Sequence, residues 1–202
     1  MKPAGGVSRR LLLNVILLIA VLLSACSPKA TRREIDEVPG AFTYQADHSA
    51  YPELAQQASE QLRTNDFRAA ETAFRELIVL EPGSVDGYIG LGTSLLLQNR
   101  FVGAQQAYNQ ALEVKPDSAE ALIGLGSVQY QVGDYERAIE FYRSALALEE
   151  TNPDALWGLA ISQAPLGEVD SAIANLEKII ELVPGTGLAR NAADLLSTLE
   201  EE

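Results

Sequence analysis

From residue 51 onward the apolar positions fall at helical spacing, and the pattern renews itself with a 34-residue period. In the stretch that begins at Val85, the residues Tyr88, Leu91, Gly92 and Leu95 lie at i, i+3, i+4 and i+7 and share one helix face. A polar break at Asn99-Arg100 follows, and Phe101, Ala104, Ala107, Tyr108, Ala111 and Leu112 then mark a second face. Breaks at Asn65-Asp66, Gly133-Asp134 and Gly167-Glu168 come at the same phase. The pattern predicts four helix–turn–helix units, at 51–84, 85–118, 119–152 and 153–186. Residues 187–202 add a last helix with Leu188, Ala192, Leu195, Leu196 and Leu199 on its inner face and an acidic end. Pro165 falls late in the first helix of the fourth unit, where its ring clashes with the carbonyl of Ile161, so that helix is expected to kink or stop near Ala164.

The register holds at many positions. Ala70, Ala104, Ala138 and Ala172 recur with the 34-residue period, as do Phe74, Tyr108, Tyr142 and Leu176. Phe67, Phe101, Tyr135 and Val169 form another series, and Ala58, Gly92, Gly126 and Ala160 a fourth. Pro82, Pro116 and Pro184 close three units; in the third, Asn152-Pro153 supplies a helix cap followed by proline at the first helical position. This small–aromatic–small–aromatic–proline spacing resembles the tetratricopeptide repeat (TPR) over residues 51–186. The resemblance implies an all-α, right-handed superhelical solenoid of helix–turn–helix units ending in a capping helix. The chain departs from the family where Leu54, Tyr88, Leu122 and Leu156 stand at its tryptophan-type position, and Gln57 and Gln61 make the first repeat unusually polar. One such unit cannot bury its apolar face alone, and stacking supplies the partner. Gly92 and Ala104 are expected to let the two helices of a hairpin approach closely.

In this family the first helix of each repeat lines a concave groove. The corresponding face carries Asp86, Ile89, Thr93 and Leu96 in the second repeat, Glu120, Ile123, Ser127 and Tyr130 in the third, and Asp154, Trp157, Ile161 and Ala164 in the fourth. Stacking aligns Ile89, Ile123 and Trp157 in a row, with Leu96 and Tyr130 in a shorter row beside it. Apolar side chains on a face that meets water need a reason. Either the groove takes an extended or helical partner segment, with Trp157 and Tyr130 as anchors, or the terminal helix or the preceding segment covers the row. The acidic row Asp86, Glu120 and Asp154 either selects a basic partner or only complements the helix dipoles, since each carboxylate lies in a first turn. The groove lacks the Lys and Asn residues with which some TPR domains clamp a C-terminal carboxylate. Gly90-Leu91-Gly92 and Gly124-Leu125-Gly126 look like fragments of phosphate loops, but they recur inside predicted helices with no preceding strand, which excludes a nucleotide site.

The N-terminal end has a different pattern. Lys2, Arg9 and Arg10 precede an apolar run from Leu11 to Leu23 that is interrupted only by Asn14, as in a secretory signal peptide and short of the ~20 residues of a membrane span. Leu23-Ser24-Ala25-Cys26 resembles the lipobox of bacterial lipoproteins. That resemblance implies cleavage after residue 25 and attachment of acyl chains, palmitate among them, at Cys26, whose thiolate is the chain's one strong nucleophile. Several acyl chains give durable anchoring, where a single chain is marginal. Ser27 stands where inner-membrane retention signals place Asp, which favours the periplasmic face of the outer membrane if the source has two membranes and the outer face of the cell membrane otherwise. Residues 26–50 have no periodicity and read as a lipidated flexible tether, with His48 as a solvated loop residue.

Composition fits this division. The 202 residues are 47% hydrophobic and hold 28 acidic and 15 basic side chains, a net charge of −13. Loss of residues 1–25, with three basic side chains and no acid, takes it to −16. Such an acid excess argues against nucleic acid. One cysteine and one histidine leave no material for a zinc site, a disulfide framework or a nucleophile–histidine pair, so no enzyme, metal, cofactor or small-molecule substrate is expected. The expected function is that of a lipid-anchored protein–protein interaction scaffold of the bacterial envelope. It captures a partner segment by tethered binding, as envelope TPR lipoproteins of the pilotin type do in pilus or secretion assemblies. The alternatives are an adaptor for cell-wall enzymes and a self-associating structural lipoprotein.

Overall fold

The computed structural model describes residues 51–201, which fall within one unit, Ala46–Glu202. The expected signal peptide and tether, with Cys26 and His48, lie outside the described residues. Among the described residues there are nine α-helices and no strand. They are α1 (Tyr51–Arg63), α2 (Phe67–Leu80), α3 (Val85–Leu97), α4 (Phe101–Val114), α5 (Ala119–Val132), α6 (Tyr135–Leu148), α7 (Pro153–Gln163), α8 (Val169–Leu182) and α9 (Gly187–Glu200). Consecutive helices pack as antiparallel neighbours, and α1, α3, α5 and α7 also touch one another in order. This is an all-α solenoid. No described helix is long and apolar enough to cross a membrane.

The sequence sets the helix ends through caps that keep the repeat's own period. Ser84, Ser118, Asn152 and Thr186, at one position of successive units, accept hydrogen bonds from the backbone N–H groups of Gly87, Ala121, Ala155 and Ala189. Each such cap is worth about 1 kcal/mol. Thr186 keeps this phase, so α9 stands in the register of an inner helix. Asp66 and Asp134 cap α2 and α6 in the same way. Within three of the hairpins the turn needs left-handed backbone, at Asn65, Asn99 and Gly133. The fourth turn differs. α7 stops at Gln163, and Ala164–Leu166, which includes Pro165, forms a 3-10 turn that ends on left-handed Gly167.

Tight packing centres on one aromatic ring per repeat. The Tyr108 ring lies between Gly92 of its own hairpin and Gly124 of the next, where an added Cβ would stand 2.7 Å and 2.3 Å from the ring. Tyr142 lies likewise between Gly126 and Gly158, and Phe74 lies against Gly90. Gly92 thus makes room for a ring, while Ala104 is fully buried in the same cluster. Where the outer helix carries Leu176, the partner positions are Ala160 and Ala192, both fully buried. One polar device sits off this axis. The Glu71 carboxylate on α2, 7% exposed, accepts hydrogen bonds from Gln98 (2.8 Å) and Arg100 (2.6 Å) beyond α3 and pairs with Arg75. Burial pushes this carboxyl up, but the donors and guanidinium charges more than offset it and hold it below its usual range.

Candidate functional site

The N-caps of α3, α5 and α7 fix where the groove side chains begin. Two residues after each cap stand Asp86, Glu120 and Asp154, all exposed in a first turn. One turn further come Ile89, Ile123 and Trp157. Two open clefts lie along this face. The first, about 410 Å³, is bounded by α1, α3 and α5 and holds Tyr51, Leu62, Ile89, Thr93, Asp86 and Glu120. The second, about 250 Å³, is bounded by α5 and α7 and holds Ile123, Tyr130, Trp157, Ile161, Tyr142 and Asp154.

The structure therefore places the expected residues unevenly. Ile123, Tyr130 and Trp157 are half-buried and share the second cleft with Asp154. Asp86 and Glu120 share the first. Ile89 is only 6% exposed and belongs to the core cluster of Leu125 and Tyr108, so it forms cleft floor and presents little surface. Leu96 packs against that same cluster and lines neither cleft. Tyr130 is braced by Tyr135, ring centroids 5.6 Å apart and tilted by 54°. The terminal helix α9 packs against α8.

Polar floor residues escaped the sequence reading as a connected set. Thr93 Oγ1 donates to the Ile89 carbonyl at 3.0 Å and lies 3.0 Å from the Tyr108 hydroxyl. Ser127 Oγ donates to the Ile123 carbonyl at 3.0 Å and lies 3.1 Å from the Tyr142 hydroxyl. A hydroxyl has one proton to give, so each tyrosine donates to its Thr or Ser and keeps its lone pairs as acceptors. Burial first of all pushes both phenols up to about 12, so they stay protonated. The signal was present in the sequence: Thr93 and Ser127 occupy one position of successive repeats, and so do Tyr108 and Tyr142. Desolvation, then the charges of Asp86, Glu149 and Asp154, raise the Glu120 carboxyl above its usual value. Among the described residues there is no group of three or more His, Cys, Asp or Glu side chains arranged to hold a metal ion.

Helix pairs at a 34-residue period, stacked through small residues and an aromatic ring with an open inner face, define a tetratricopeptide-repeat solenoid, the fold of protein–protein interaction scaffolds. More particularly, residues 43–187 match the family described as the cytochrome c-type biogenesis protein H TPR domain, and the chain belongs to that family. No curated protein matches the sequence. Among solved structures, TTC0263, a thermophilic TPR protein of Thermus thermophilus, aligns with a TM-score of 0.66 at 22% identity, over 74% of this chain and 80% of its own. MamA aligns with a TM-score of 0.56 at 24% identity, over 76% and 87%. YrrB, described as a TPR protein with an unusual peptide-binding site, aligns with a TM-score of 0.53 at 19% identity, over 73% and 76%. At these identities the likeness is one of fold.

Proposed function

We propose that this protein is a lipid-anchored scaffold of the bacterial cell envelope that captures a segment of a partner protein in its concave groove. The observation that carries the reading is the second cleft. Ile123, Tyr130, Trp157 and Ile161 leave apolar surface open on the inner face, and an aromatic pair beside a pocket is what anchors a bound segment. The lipobox-like Leu23-Ser24-Ala25-Cys26 supports the anchor, which holds the groove near the lipid surface and raises the effective concentration of a membrane-associated partner. The partner belongs to a membrane assembly. Pilus and secretion complexes or cell-wall enzymes fit by resemblance to envelope TPR lipoproteins, and the family description adds cytochrome c-type biogenesis.

A photo-crosslinking residue at position 157 of the protein in its own membrane tests the reading. A discrete crosslinked partner is expected, and the Trp157→Ala, Tyr130→Ala double variant should lose that partner in pulldowns while its helical circular dichroism is unchanged. Undiminished capture by the double variant refutes the groove assignment.

A further inference from the structure

The polar lining of the groove narrows the chemistry of its occupant. Helices α3, α5 and α7 carry Asp86, Glu120 and Asp154 and not one lysine or arginine. None of the three carboxylates forms an ion pair with another described residue, whereas Arg75, Arg100, Arg137 and Arg143 on neighbouring elements are paired elsewhere. Resting on the groove reading above, we propose that the occupant is a basic, extended segment of a partner protein. Its Arg or Lys side chains lie opposite Asp86, Glu120 and Asp154, and an apolar side chain enters the cleft between Ile123 and Trp157.

Three observations favour a cationic occupant. First, the floor offers acceptors. Tyr108 and Tyr142 donate their O–H groups in hydrogen bonds to Thr93 and Ser127, which donate theirs to the carbonyls of Ile89 and Ile123. Beside the donors of Tyr130, Gln131 and Trp157, the second cleft meets a ligand with the Tyr142, Ser127 and Asp154 oxygens, whose acceptor sites include a full carboxylate charge. That surface suits a donor-rich chain. Second, the Glu120 carboxyl is pushed up, first by desolvation and then by the charges of Asp86, Glu149 and Asp154, so the row carries like charges with no cation among them. Third, the charges form a line along the groove axis with apolar surface beside them. Neighbouring inner helices pack with axes roughly 8–10 Å apart, and an extended chain of polyproline-II type advances about 3.1 Å per residue with about three residues per turn, so every third side chain returns to one face. The matching segment therefore carries a cation at about every third residue.

The test uses the full-length chain in detergent and two labelled peptides, one with arginine at every third position and leucine between, the other with glutamate in place of arginine. The arginine peptide should bind and the glutamate peptide should not. Binding should weaken as salt rises from about 50 to about 500 mM. The triple variant Asp86→Asn, Glu120→Gln, Asp154→Asn should bind about tenfold more weakly with unchanged helical circular dichroism. Equal binding of the two peptides, or a triple variant that binds as the wild type does, would overturn the assignment. If neither peptide binds while the crosslinker at position 157 still captures a membrane partner, the basic occupant is refuted and the groove reading stands. If the crosslinker captures nothing either, the groove reading fails as well. A dimer in sedimentation that Trp157→Asp dissociates would make the occupant a second copy of the chain and also overturn the proposal.

Discussion

Replacing Gly124 by alanine sets two physical effects against each other, and the structure decides the sign. Gly124 lies inside α5, where alanine gains about 1 kcal/mol of helix propensity. Its new Cβ would stand 2.3 Å from Cε1 and 2.4 Å from Cζ of Tyr108. The ring has little room to retreat, because Gly92 packs so closely against the same edge that a Cβ there would stand at 2.7 Å, and the hydroxyl is tied to Thr93 at 3.0 Å. Overpacking of a closed site costs ~1–3 kcal/mol. With two helices forced apart at a repeat boundary, the upper end applies, and the net loss is about 1–2 kcal/mol. Urea unfolding followed by helical circular dichroism should show the midpoint falling by roughly 0.5–1 M. Array proteins need not unfold in one step, so the midpoint and slope are compared directly. The chain already contains the control: where Leu176 replaces the aromatic ring, Ala192 stands at the position of Gly124 and is fully buried. In a Tyr108→Leu background, Gly124→Ala should therefore be neutral or stabilising. A raised midpoint for Gly124→Ala alone, or equal effects in the two backgrounds, refutes the ring-in-pocket account.

The remaining predictions concern charge and location. Because the Glu120 carboxyl is raised in the folded chain, its ionised form is a burden above that pKa, and the burden lifts as pH falls through it. Glu120→Gln should accordingly raise the melting temperature at pH 7, by removing a charge disfavoured first by desolvation and then by its acidic neighbours, and lose that advantage on acidification below the carboxylate range; a lower melting temperature at pH 7 refutes the reasoning. Cys26→Ala should abolish incorporation of labelled palmitate, and unchanged labelling refutes lipidation at that residue.

The fold was legible because a 34-residue period samples every core position several times. Ala70, Ala104, Ala138 and Ala172 are all fully buried, and the caps at Ser84, Ser118, Asn152 and Thr186 repeat the same spacing. Pro165 told of a local stop because its missing N–H acts on the backbone alone. The groove was less legible. Its face is turned by about one residue from the core face, so small differences among neighbours decide exposure. Ile89 and Trp157 occupy one register position, yet the first is core and the second lines an open cleft. The Thr93–Tyr108 and Ser127–Tyr142 pairs join positions 15 residues apart on different helices, which helical periodicity within one element does not connect.

Those pairs also tie the glycines to the groove. A side chain that starts on an outer helix reaches the inner face only if it is long and flat, and tyrosine alone among the ring residues at this position ends in an oxygen. Tyr108 and Tyr142 do reach it, and each passes between two glycines. Phe74, which brings no hydroxyl, meets a glycine on one side and has Ala58 in its own hairpin; Leu176 has alanine on both. Each glycine weakens its helix by about 1 kcal/mol relative to alanine. Glycine on both sides of the ring thus occurs where a tyrosine oxygen joins the groove floor, between the acidic row and the Trp157 cleft. Packing alone would be served by leucine and alanine, as the end of the array shows. The tyrosine–glycine arrangement in the middle repeats is accounted for when the acceptor surface is counted as part of what the fold holds in place.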